Sequence, residues 1–131
     1  MKKYAVLLLM LLLTVSAGYA KEFEIEKMAG EYKVEVKIAN DPPVVGKNKV
    51  EVEIKDKTGD YVKDARVRVD YSMPPMPGMP PGDYKAEATL EGEKYVAAME
   101  LTMAGSWNVT VKFKTTADKN INKITFSIDA R

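Results

Sequence analysis

Apolar and polar residues alternate one for one along most of this chain. The pattern is clearest in Tyr32-Lys33-Val34-Glu35-Val36-Lys37-Ile38, in Val50-Glu51-Val52-Glu53-Ile54 and in Val67-Arg68-Val69-Asp70-Tyr71. It returns in Trp107-Asn108-Val109-Thr110-Val111-Lys112-Phe113 and in Ile124-Thr125-Phe126-Ser127-Ile128. A period of two sends one set of side chains to a core and the other to water. The interleaved lysines and glutamates are then the solvated face. Weaker alternation runs through Tyr84–Leu90, and the run Tyr95–Met103 places Met99, Leu101 and Met103 on one face. Phe23–Met28 adds an edge strand. Turn signals separate the runs at Asn40–Pro43, Lys57–Asp60, Glu91–Glu93 and Thr116–Asn120. No amphipathic helix of ordinary length follows residue 20, and there is no internal repeat. Short strands punctuated in this way predict an all-β domain, a sandwich or a barrel.

The first twenty residues read differently. Lys2 and Lys3 make a basic start, an apolar run extends from Tyr4 to Val15, and small residues surround a cleavage point after Ala20. This is the three-part pattern of a secretory signal peptide. The apolar run is shorter than the roughly 20 residues of a comfortable bilayer span. The organisation expected is a signal peptide over 1–20 and one β-sandwich domain over 21–131, with no stable membrane insertion after cleavage and a periplasmic or secreted location. The alternative is an uncleaved anchor. The chain has no cysteine, which excludes a lipoprotein anchor.

Composition narrows the chemistry. The full chain has a formal net charge of +1, and removing the two signal lysines leaves it near neutral. That balance gives no electrostatic footprint for nucleic acid. Without cysteine, an exported fold is held by its core and has no disulfide staples. Histidine is also absent. Its absence removes the Ser-His-Asp and Cys-His triads, cysteine–histidine zinc sites and the commonest metal ligand. No nucleophile–base pair can be named, so the reading is non-enzymatic. Asp56, Asp60 and Asp64 surround Gly59 at four-residue spacing but lack the spacing of a calcium loop, and read as a solvated turn.

One segment stands out. Residues 71–82 read Tyr-Ser-Met-Pro-Pro-Met-Pro-Gly-Met-Pro-Pro-Gly and hold most of the prolines. Met73, Met76 and Met79 recur at every third residue. Methionine offers a soft, polarizable thioether, the ligand class that suits Cu(I). In a polyproline II rod the three would point to one side about 9 Å apart, which is a poor chelator. A site needs the chain to fold back, and Gly78 supplies that freedom. Met99 and Met103 are candidate helpers. Two other readings stand beside this one. Methionine fills irregular gaps at the open end of a sandwich, and an exposed proline-rich stretch can dock on a partner. Trp107 reads as the centrepiece of the core, with a wall near the methionines as the alternative.

These landmarks fall in a recognisable order. Pro42-Pro43 precedes Val45-Gly46-Lys47-Asn48, then come Asp56 to Gly59, Val62 to Ala65, and Met73-Pro74 with the proline–methionine loop; Met99 to Met103, Gly105 and Trp107 close the series. Over roughly residues 32–114 the chain resembles the YtkA-like domain family, which is similar to the soluble part of FixH proteins. The resemblance implies an immunoglobulin-like antiparallel β-sandwich of about seven to eight strands, exported to the periplasm or cell surface. It also implies an accessory role in copper homeostasis or metal efflux, with a periplasmic efflux adaptor or a copper carrier as partner. The chain departs from FixH in carrying a cleavable-looking signal where FixH has a membrane anchor. The function expected is therefore Cu(I) binding or transfer through Met73, Met76 and Met79, helped by Met99 and Met103. The alternative is a metal-free interaction module docking on an envelope protein.

Overall fold

A computed structural model describes residues 22–75, 77–78 and 82–131. The expected signal segment, Met76 and Met79 lie outside the described residues. Among the described residues nine strands follow one another: β1 (Phe23–Ala29), β2 (Tyr32–Ile38), β3 (Gly46–Lys55), β4 (Arg66–Ser72), β5 (Asp83–Glu87), β6 (Thr89–Glu91), β7 (Lys94–Leu101), β8 (Gly105–Lys114) and β9 (Asn122–Ala130). They form two antiparallel sheets, ordered β1-β2-β3-β7-β6 and β5-β4-β8-β9. Apart from β1, this is the strand order of an immunoglobulin sandwich, in which hairpins stay within a sheet and the connections β3–β4, β5–β6 and β7–β8 cross between the two packed sheets. The described residues form no helix.

The alternation seen in the sequence is the alternation of the core. Val34, Val36 and Ile38 of β2 face Ile54, Val52 and Val50 of β3 across the ladder, and all six are fully buried. In the other sheet Val69 and Tyr71 stand opposite Val111 and Val109, which in turn stand opposite Ile124 and Phe126. These residues form one cluster with Tyr95, Met99, Leu101, Trp107 and Phe113. Complete burial of each such side chain contributes about 1.5–3 kcal/mol, and the matched registers give each one a cross-strand neighbour.

The edges differ from the sequence reading in two places. The expected strand over Tyr84–Leu90 is two strands in different sheets. β5 pairs with β4 through Tyr84↔Tyr71 and Ala86↔Val69, whereas β6 pairs with β7 through Thr89↔Val96. The change of sheet falls at Ala88, whose N–H donates to the Val67 carbonyl at 3.0 Å. A strand that leaves one sheet for the other cannot keep one face on the core, which is why its alternation is weak. Likewise β7 ends at Leu101, so Met103 sits in the crossover to β8 and does not share the face of Met99. β1 is a full edge strand that hairpins onto β2 through Gly30-Glu31, with Gly30 at φ +60°. Its Phe23 stacks on Phe126 of β9 at 5.7 Å, closing one side of the sandwich.

Two buried polar groups fasten the loops. Asn48, fully buried on β3, accepts the Val44 N–H at 2.9 Å and donates to the carbonyls of Val44 (2.7 Å) and Gly46 (3.1 Å). The Tyr95 hydroxyl on β7 donates to the Val62 carbonyl at 2.8 Å and accepts the Ala65 N–H at 3.0 Å. Burial pushes the Tyr95 phenol up, so it stays a donor at every physiological pH.

Candidate functional site

The proline–methionine segment joins β4 to β5 at one end of the sandwich. Met73 leaves β4 half-buried and packs against the core. Its methyl group lies beside Gly105, where β8 begins: a Cβ on that glycine would stand 2.9 Å from the Met73 Cε. Gly105 has φ +131°, in the region that favours glycine. The same turn holds Met103. Its carbonyl accepts the Trp107 indole N–H at 3.1 Å, and its side chain is 36% exposed. The first methionine of the loop and the methionine of the β7–β8 turn therefore meet the same short stretch of chain.

Met99 occupies a different environment. It stands opposite Asn48 in the β3–β7 ladder and has no exposed surface. Its thioether is part of the core, two residues before the end of β7. Of the five methionines expected at a soft-metal site, Met73 packs on Gly105, two residues after Met103 in the β7–β8 turn, Met99 lies in the interior, and Met76 and Met79 lie outside the described residues. Met73 carries part of the packing role as well, since it is half-buried on the core.

Across β5, β4 and β8 lies an aromatic cluster that the sequence pattern did not single out as a unit. Tyr71 stacks on Tyr84 with ring centroids 5.5 Å apart, and Trp107 tilts against both rings at 5.9 Å. Trp107 is 1% exposed, so the core reading of this residue holds. The Tyr71 hydroxyl accepts the Glu100 N–H at 3.1 Å, tying β4 to β7 across the two sheets. Gly82 brings the returning loop onto Tyr84, where a Cβ would stand 2.9 Å from the ring. The signal for the cluster was present in the sequence as Tyr71, Tyr84 and Trp107 at strand positions. Only the β5-β4-β8 order makes them neighbours.

The acidic residues around Gly59 serve the turn itself. The Asp56 carboxylate accepts the Thr58 hydroxyl at 2.6 Å and the N–H groups of Thr58 and Asp60. The hydrogen bond from the Thr58 side chain, helped by backbone N–H groups, holds the Asp56 carboxyl below its usual value against the opposing effect of burial. Asp64 accepts a hydrogen bond from Thr116 instead. Among the described residues, no three acidic side chains converge on a common point.

Comparison with known proteins places this fold. FetP of the uropathogenic E. coli strain F11, recombinantly expressed in the periplasm of E. coli BL21(DE3), has a similar structure with a TM-score of 0.50. The likeness covers 86% of this chain and 95% of FetP at 9% identity, and it shows a shared fold. No curated protein sequence matches the chain. The YtkA-like family model matches residues 26–112, from within β1 to within β8, and so takes in the Asn48 loop, the methionine segment, Gly105 and Trp107. The chain belongs to the YtkA-like family.

Proposed function

We propose that this protein is an exported, non-enzymatic accessory of copper homeostasis or efflux that binds Cu(I) through thioethers at the β4–β5 loop. The observation that carries the reading is the position of Met73 against Gly105, at the turn that also presents Met103. Thioethers suit Cu(I) and are poor ligands for hard cations. Loop and turn enter from different sheets, so a metal held between them would have ligands fixed by two rigid elements. Met76 and Met79 complete the donor set in this reading. A carrier or an efflux adaptor receives the metal by ligand exchange, which thioethers permit. Export rests on the first twenty residues; family membership and a fold shared with a protein expressed in the periplasm are in keeping with it.

Anaerobic Cu(I) titration of residues 21–131 against a competing chelator tests the proposal. Stoichiometric binding is expected, and it should be lost in the variant M73L/M76L/M79L with the β-sheet circular dichroism unchanged. Equal affinity in that variant overturns the reading and leaves the loop as packing for the end of the sandwich. Met99→Leu locates the metal: its affinity falls only if the ion enters the core. Because a thioether has no proton to release, affinity should be flat between about pH 5 and 8.

A further inference from the structure

The outer face of the β5-β4-β8-β9 sheet carries an arrangement that packing does not explain. Arg66 of β4 stands directly opposite Lys114 of β8, and Arg68 opposite Lys112. Lys112 in turn stands opposite Lys123 of β9. Like charges directly opposite one another destabilise a sheet. One of these pairs, Arg68–Lys112, is compensated only in part, by one carboxylate shared between two cations, and Glu87 of β5 stands opposite Arg68. Asp70 takes Arg68 Nε at 2.8 Å and Lys112 Nζ at 2.9 Å. Arg66 and Lys114, both exposed, form no ion pair among the described residues.

A groove of about 490 Å³ runs over Arg66, Arg68, Lys112 and Lys114 and is rimmed by Ile121; the side chains of Val67 and Phe113, between these cations along the strands, face the core. Ile121 is 67% exposed, the most exposed of the large apolar side chains described. One carboxylate, Glu87, lines the same groove. A second groove of about 360 Å³ shares Arg68 and Lys112 and continues along the strands past Ser72, Asn108 and Thr110, with the carboxylates Asp70 and Asp83 and the cation Lys85 also in its wall, so the excess positive charge is confined to the Arg66–Lys114 end. The surface is thus elongated, cationic and apolar at one end, and rich in hydrogen-bonding groups at the other.

We propose that this face docks an extended acidic segment of a partner protein, with carboxylates at alternate residues and an apolar side chain at the Ile121 end. Spacing favours a peptide. The Arg66–Lys114 and Arg68–Lys112 pairs are two residues apart along antiparallel strands, about 6.8 Å. Carboxylates at positions i and i+2 of an extended chain have the same separation and lie on the same side. A free phosphate or a lipid headgroup would engage one pair and leave the other unmatched. Arg66 and Lys114 lie at the opposite end of β4 and β8 from Met73 and Gly105, so the cationic end stands whether or not Cu(I) binds.

The probe is a fluorescently labelled eight-residue peptide of alternating glutamate and threonine ending in leucine, titrated by anisotropy into residues 21–131 at low salt. A control peptide of the same composition has its glutamates in one block. Saturable binding of the alternating peptide, at least tenfold tighter than the block peptide and weakened by salt, is expected. R66Q/K114Q, which leaves the Asp70 network intact, should lose at least tenfold in affinity while its thermal midpoint stays level or rises. The charge-reversed R66E/K114E should instead bind an alternating lysine–threonine peptide, which separates recognition from any loss of folding. Equal binding of the two glutamate peptides overturns the proposal. So does binding only to phosphatidylglycerol vesicles, inorganic phosphate or a single-stranded oligonucleotide, or unchanged affinity in R66Q/K114Q.

Discussion

Asn48 shows how much one side chain decides. Its amide uses both donors and its carbonyl to hold the chain between Val44 and Gly46, from a position with no exposure. Asn48→Ala leaves those backbone groups without partners and should cost about 2 kcal/mol, at the centre of the range for an unmet buried group. Urea unfolding at neutral pH measures this as a lower midpoint with an unchanged slope. Asn48→Asp should fare no better, because a carboxylate cannot donate to the two carbonyls. Gly105 poses a sharper question, since alanine there meets both a strained φ and the Met73 methyl. The methyl is the end of a flexible side chain and can swing aside; the backbone angle cannot. Gly105→Ala should therefore cost about 1 kcal/mol or more, and adding Met73→Ala should not restore it. Recovery of more than half the loss in the double variant would show that the contact dominates.

At the scale of the element, the β4–β8 ladder depends on Asp70. Burial pushes its carboxyl up from the ordinary 3.8, but the hydrogen bonds and charges of Lys112 and Arg68 together outweigh that and hold it below. A pKa lowered by folding stabilises the folded state above the ordinary carboxylate value and ceases to do so as the pH falls through the folded value. The urea midpoint should drop below about pH 4, and Asp70→Asn should flatten that acid limb. The variant should also be less stable at neutral pH, because Arg68 and Lys112 would then face each other unscreened. An acid limb as steep as the wild type's would assign the acid sensitivity to other carboxylates. The strands themselves were legible: β2, β3, β4, β8 and β9 coincide with runs of alternation. The division into β5 and β6 was not, because Ala86, Ala88 and Thr89 look the same whichever sheet they join. Met103 misled for the related reason that alternation predicts a face only while a strand lasts.

For the whole molecule, the candidate copper site matters because it joins the two sheets. Met73 follows β4 in one sheet, and Met103 follows β7 in the other. A ligand that binds only the folded arrangement raises stability by mass action, about 2.7 kcal/mol at a free concentration of one hundred times Kd. Cu(I) should therefore raise the thermal midpoint of the wild type and leave that of M73L/M103L unmoved. An equal rise in both would assign any Cu(I) effect to other groups.

The sequence by itself determined the class of fold, the core and the excluded chemistry. Alternation is a local property of a strand, and residue types such as cysteine and histidine are either present or absent. It also marked the methionine segment, because proline and methionine spacing can be read along the chain. Only the tertiary structure decided that Met73 packs on Gly105 beside the turn of Met103 while Met99 is in the core, that Tyr71, Tyr84 and Trp107 form one cluster, and that Arg66 and Arg68 are matched against Lys114 and Lys112. Each of these depends on which strands lie side by side and in what register. Those choices are made by long-range packing between residues tens of positions apart, and no period in the sequence encodes them.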